Sequence, residues 1–99
     1  REFLFVDDLS SAIEYLLDHD VTYDLLNVGS RFEISISKLA NLIKSTINFE
    51  GNIVFDKNMP DGNPKKFIDS TKINNLGWKP RIGLEDGLEI TYKWFLENK

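Results

Sequence analysis

Leu9, Ala12, Ile13, Leu16 and Leu17 recur at i, i+3, i+4, i+7 and i+8. That spacing gathers five apolar side chains along one side of an α-helix and would scatter them over both faces of a strand. The stripe predicts a helix ending near His19. Asp7 and Asp8 stand at its start, where a carboxylate can accept hydrogen bonds from the amides that open a helix. A second stripe, Ile36, Leu39, Ala40, Ile43 and Ile47, is preceded by Ser35 as a cap and closed by Asn48. A short third helix carries Ile73 and Leu76. It starts from Asp69 or Ser70 and ends at Gly77, a residue free to turn left-handed. Leu84, Leu88, Thr91, Tyr92 and Phe95 make the stripe of a final helix, with Glu89 and Lys93 one turn apart.

Between these stripes lie short runs rich in aromatic and β-branched residues, at 3–6, 23–28, 32–34, 53–55 and 66–69. Such runs predict strands. Helices and strands then alternate, and no repeat, low-complexity tract or linker divides the chain. The expected fold is α/β: one small mixed α+β domain, residues 1–99, of short strands flanked by about four helices. At 41% hydrophobic and 12% aromatic residues, the chain can build a core. The opening sequence, Arg-Glu-Phe-Leu-Phe, has no initiator Met and no signal-peptide pattern, and reads as a piece of a longer protein; a processed small protein is the alternative.

Several chemistries are excluded by what the sequence holds. A net charge of −4 argues against a broad nucleic-acid surface, so an anion site has to be local. No run approaches the apolar length of a membrane span. There is no cysteine, hence no disulfide and no thiolate metal site, which fits a reducing, cytoplasmic compartment. Glycines 29, 51, 62, 77, 83 and 87 form neither a dinucleotide fingerprint nor a P-loop. His19, the single imidazole, sits at a helix end between two aspartates, where capping or solvation is its expected job. The pairs Asp7-Asp8 and Glu85-Asp86 fall at helix starts, where the backbone dipole favours negative charge. Neighbours in sequence diverge around a helix, so neither pair readily shares a proton or a metal. No self-contained catalytic site is found, and no metal site.

Two features can bind a ligand. The loop 56–66, Asp-Lys-Asn-Met-Pro-Asp-Gly-Asn-Pro-Lys-Lys, is held by two prolines and a glycine and flanked by lysines. It can offer backbone N–H groups and ammonium charges to a phosphate, while Asp61 accepts hydrogen bonds from sugar hydroxyls. An ordinary solvated loop is the equal alternative. The second feature is Arg1, a guanidinium suited to grip a diphosphate in two-pronged fashion, although a terminal arginine is often only solvated.

These residues also carry a resemblance. Arg1-Glu2-Phe3-Leu4-Phe5-Val6-Asp7-Asp8-Leu9 resembles the R-[DE]-[FY]-x-x-V-x-D segment of the extended short-chain dehydrogenase/reductases that act on nucleotide sugars. Leu26-Asn27-Val28-Gly29-Ser30 resembles the strand that follows it there. Leu76-Gly77-Trp78-Lys79-Pro80 and Leu84-Glu85-Asp86-Gly87-Leu88 are similar to the C-terminal signature, in the same order. The loop segment from Pro60 to Asp69, with Thr91-Tyr92-Lys93-Trp94-Phe95, is similar to the branch of NADP-dependent epimerase-reductases acting on GDP-sugars.

The resemblance implies that Arg1 contacts the nucleotide diphosphate, that Asp61 contacts the substrate, and that Lys65 or Lys66 helps with phosphate. It further implies a GDP-sugar as ligand and an upstream Rossmann domain as partner. NADP would be bound by that domain and not by this chain, and the parent enzyme would be a homodimer. Tyr15, Tyr23 and Tyr92 are followed four residues later by His19, Asn27 and Leu96, so the family's Tyr-x-x-x-Lys pair has no counterpart. The expectation is a C-terminal substrate-binding domain that performs no turnover alone. Another nucleotide-sugar enzyme of the same family and a free-standing interaction module are the alternatives.

Overall fold

Each of the four apolar stripes becomes a helix in the computed structural model, which describes residues 1–62 and 65–99. The helices are α1 (Val6–Asp18), α2 (Ile36–Thr46), α3 (Thr71–Leu76) and α4 (Leu84–Asn98). Helix α1 begins on Phe5, whose carbonyl accepts from the amides of Asp8 (3.0 Å) and Leu9 (3.2 Å). It ends at His19, whose Nδ1 lies 2.8 Å from the Tyr15 carbonyl while the two rings stack at 3.9 Å. His19 therefore does the capping work expected of it. Ser35 caps α2 by accepting from the Lys38 amide at 3.2 Å, and Asn48 turns left-handed (φ 54°) just beyond its end.

At α3, Asp69 supplies the capping bonds. Its carboxylate accepts from the backbone N–H of Thr71 (3.0 Å) and from the Thr71 hydroxyl. These bonds, with the nearby charges of Arg31 and Lys72, hold the Asp69 carboxyl below its ordinary pKa. Gly77 ends the helix with φ at 115°, a conformation that any side chain would resist. Its amide donates to the Asn74 carbonyl at 3.0 Å.

The expected strands do not form among the described residues. The one β element is a single antiparallel bridge between Glu2 and Glu33, framed by the Ile34 amide on the Arg1 carbonyl (2.9 Å) and the Arg1 amino group on the Ile34 carbonyl (2.8 Å). The segments 23–28, 53–55 and 66–69 run as irregular chain, and Val6, expected in a strand, opens α1. A strand exists only through its neighbour's hydrogen bonds, and local composition cannot supply the neighbour.

The core is small. Ala12 from α1, Ile73 from α3 and Trp78 are the buried hydrophobic residues, with Leu4, Tyr15, Leu16 and Val28 packed around them. Polar bonds lock this cluster. The Trp78 indole N–H donates to Ser11 Oγ at 2.9 Å, and the Tyr15 hydroxyl donates to the Leu76 carbonyl.

Asp8 is buried too, but its carboxylate does not cap its own helix as the sequence suggested. It accepts from the backbone amides of Arg81 (3.0 Å) and Ile82 (2.9 Å), tying the start of α1 to the chain entering α4. The remaining apolar residues of the α1 stripe stay open: Leu9, Ile13 and Leu17 are exposed, Leu17 to 82%, and Val6 extends their line. The body is accordingly flat, 50 × 35 × 18 Å. Its radius of gyration is 16.4 Å, against about 13 Å for a compact domain of this length.

Candidate functional site

The bridge between Glu2 and Glu33 fixes where the first site residue stands. Pairing with Ile34 at the backbone holds Arg1 at the edge of the molecule, half-buried. Its guanidinium extends to the 56–66 loop: a methyl group placed on Gly62 would stand 2.9 Å from Nη2 of Arg1. A side chain at 62 would have to move the flexible end of Arg1 aside. Residues 1 and 62, distant in sequence, meet at one place, with Asp61 exposed beside them.

The loop itself is organised at its start. Asp56 Oδ1 accepts from the Asn58 amide at 2.9 Å, and the Asp56 carbonyl accepts from the Met59 amide at 3.3 Å, a tight turn before Pro60. Asn63 and Pro64, the second proline of the expected brace, lie outside the described residues. Lys65 pairs with Glu33, Nζ to Oε1 at 3.5 Å, with the lysine side chain 70% exposed. An exposed pair of this kind is worth about 0–1 kcal/mol, so an incoming phosphate can take the lysine from Glu33 at small cost. Lys66 is exposed.

Sequence reading missed the acidic groups here. Glu33 engages Lys65, one of the two candidate phosphate lysines. The Glu2 carboxylate presses against Gly29, and its Oε2 is buried with no hydrogen-bond partner among the described residues. The signal for Glu33 was present in the run Phe32-Glu33-Ile34. Alternation along an extended chain sets Glu33 on the opposite side from its two apolar neighbours.

Chemically, the site offers a guanidinium with two-pronged geometry, an exposed ammonium, and a carboxylate at Asp61. That set suits a ligand carrying both phosphate and hydroxyl groups. It contains no histidine, cysteine or tyrosine. A separate groove of about 730 Å³, walled by Phe3, Phe32, Leu39 and Leu88, runs between α2 and α4. None of the four expected site residues lines it.

Among the described residues Gly83 is the only glycine at the N-cap of a helix, and Glu85 and Asp86 occupy the first turn that follows. Negative charge there opposes a pyrophosphate. Among the described residues no helix is long and apolar enough to cross a membrane.

No sequence-family profile matches the chain. GDP-L-fucose synthase 1 of Arabidopsis thaliana is 47% identical over 98 residues, covering 99% of this chain and 30% of that protein. Among solved structures, a GDP-6-OMe-4-keto-L-xylo-heptose reductase from C. jejuni superposes with a TM-score of 0.88 at 29% identity. It matches all of this chain and 31% of its own length. A GDP-mannoheptose C4 reductase from Campylobacter jejuni, solved with NADP bound, gives a TM-score of 0.79 at 31% identity, over 97% of this chain and 31% of that one. The chain spans about a third of the length of the relatives it matches, and the match falls in their C-terminal part. Homologues named GDP-L-fucose synthase are thus 41–49% identical to this chain over its whole length, and it is to their C-terminal part that the chain is similar.

Proposed function

We propose that this chain is the substrate-binding part of an NADP-dependent enzyme that epimerises and reduces a GDP-sugar, of the GDP-L-fucose synthase kind. One observation carries the reading: the Arg1 guanidinium lies over Gly62, in the loop that also bears Asp61, Lys65 and Lys66. Arg1 takes the diphosphate through paired N–H donors, Lys65 or Lys66 adds an ammonium, and Asp61 accepts from sugar hydroxyls. Binding energy gathered on the nucleotide, away from the reacting carbons, then orients the sugar.

In this reading NADP and the acid–base groups belong to an N-terminal Rossmann domain, and the chain alone performs no turnover. That domain also covers the open line of Val6, Leu9, Ile13 and Leu17, which a chain of this length does not leave bare without cause. The intact enzyme is cytoplasmic and homodimeric.

The test is Arg1→Ala in the intact enzyme. Loss of a charge-assisted contact predicts about 1.5–3 kcal/mol weaker binding of the GDP-sugar, measured by calorimetry. Substrate affinity equal to that of the unmodified enzyme refutes the assignment. Comparing GDP-sugars with UDP- and dTDP-sugars on the same protein checks the base.

A further inference from the structure

Segment 1–5 is held at two ends, and only one of them touches the proposed site. At the Arg1 end it pairs with Ile34. At the other end the Phe5 carbonyl accepts from the amides of Asp8 and Leu9 in α1, and the Phe5 ring lies against Gly87 on α4. A methyl on Gly87 would stand 3.2 Å from the Phe5 ring, and Gly87 itself is buried. The element that joins these helix ends is Asp8. It is 3% exposed, and its two carboxylate oxygens accept separately from the amides of Arg81 and Ile82.

We infer that Asp8 is a positioning residue for Arg1. By fastening the first turn of α1 to the chain entering α4, it sets the direction in which segment 1–5 leaves the helix. That direction decides whether the guanidinium reaches Gly62. The inference rests on the substrate-binding reading of Arg1 above. The chemistry of the clamp is exacting, because each oxygen serves one backbone donor. An asparagine keeps the shape but turns an N–H₂ group toward one of the two amides, leaving two donors opposed. An alanine leaves both amides without their partner in a buried place.

The experiment uses the intact enzyme and reads GDP-sugar binding by calorimetry together with kcat and KM. Asp8→Asn is expected to weaken binding and raise KM about tenfold, with kcat changed much less, because the reacting groups are elsewhere. The double variant Arg1→Ala, Asp8→Asn is expected to bind no more weakly than Arg1→Ala alone, since a residue acting through Arg1 has nothing further to lose. Asp8→Glu, whose longer arm misplaces both oxygens, is not expected to rescue.

Unchanged affinity in Asp8→Asn, or a loss that adds fully to that of Arg1→Ala, overturns the inference. Unchanged affinity in Arg1→Ala instead overturns the reading on which it rests, so the two failures are separable. Should Asp8→Asn not fold, Gly87→Ala displaces Phe5 without touching a charge. It is expected to raise KM severalfold, again non-additively with Arg1→Ala, and wild-type KM in that variant counts against the clamp.

Discussion

Helix α1 has two apolar faces, and the molecule treats them oppositely. One carries Ala12 and Leu16 against Ile73 and Trp78, with Tyr15 donating one hydrogen bond across the seam and Ser11 accepting another. The other carries Val6, Leu9, Ile13 and Leu17, all of them exposed. The difference is that the covered face mixes its apolar groups with polar ones that find named partners, whereas the open face is purely apolar. Under the proposed function this line is the face that an N-terminal domain would cover.

The comparison can be broken most directly at its covered side. Ile73 is fully buried, so Ile73→Ala should remove about 2–5 kcal/mol of stability in chemical denaturation. A loss below about 1 kcal/mol would mean that the cluster is not what holds α1 and α3 together.

The open side should answer differently according to what surrounds it. In this chain by itself, Ile13→Ser should change stability by no more than about 0.5 kcal/mol. In the intact enzyme, where the proposed domain covers the line, the same change should cost about 1.5–3 kcal/mol. Equal effects in the two settings would show that nothing covers the stripe. Sedimentation offers a companion measurement: the chain should self-associate at high concentration, and replacing Leu9, Ile13 and Leu17 with serine should restore a monomer.

The smallest effect concerns pH at the start of α3, behind the covered face. Asp69 has its pKa lowered by its bonds to Thr71, so its stabilising contribution is complete above the unfolded carboxylate value. It is lost as pH falls through the lower folded value. Denaturation midpoints should therefore decline slightly in that acidic window, and Thr71→Val, which removes the largest cause, should flatten the decline. An identical acid profile in Thr71→Val would exclude Asp69 as its source.

Helices were legible in this sequence because their signals are local. The stripes, the Ser35 cap and the Gly77 stop all act within a few residues, and each appears where the spacing put it. Strands were not legible, because the runs at 23–28, 53–55 and 66–69 need ladder partners that composition cannot name. Asp8 illustrates the same limit for a polar group. Its position suggested a local cap, yet its acceptors serve amides 73 and 74 residues away. At the site, the sequence named Arg1 and the loop separately. Their meeting at Gly62 depends on how segment 1–5 pairs with residue 34, and no local pattern encodes that pairing.

The 18 Å thickness of the body has a consequence for how its backbone meets solvent. In a plate about two helices deep, every amide lies near one face or the other, so depth cannot slow deuterium uptake. Protection has to come from individual bonds. The amides of Arg81 and Ile82, gripped by a buried carboxylate, belong with the slowest to exchange although they sit in a connector between helices.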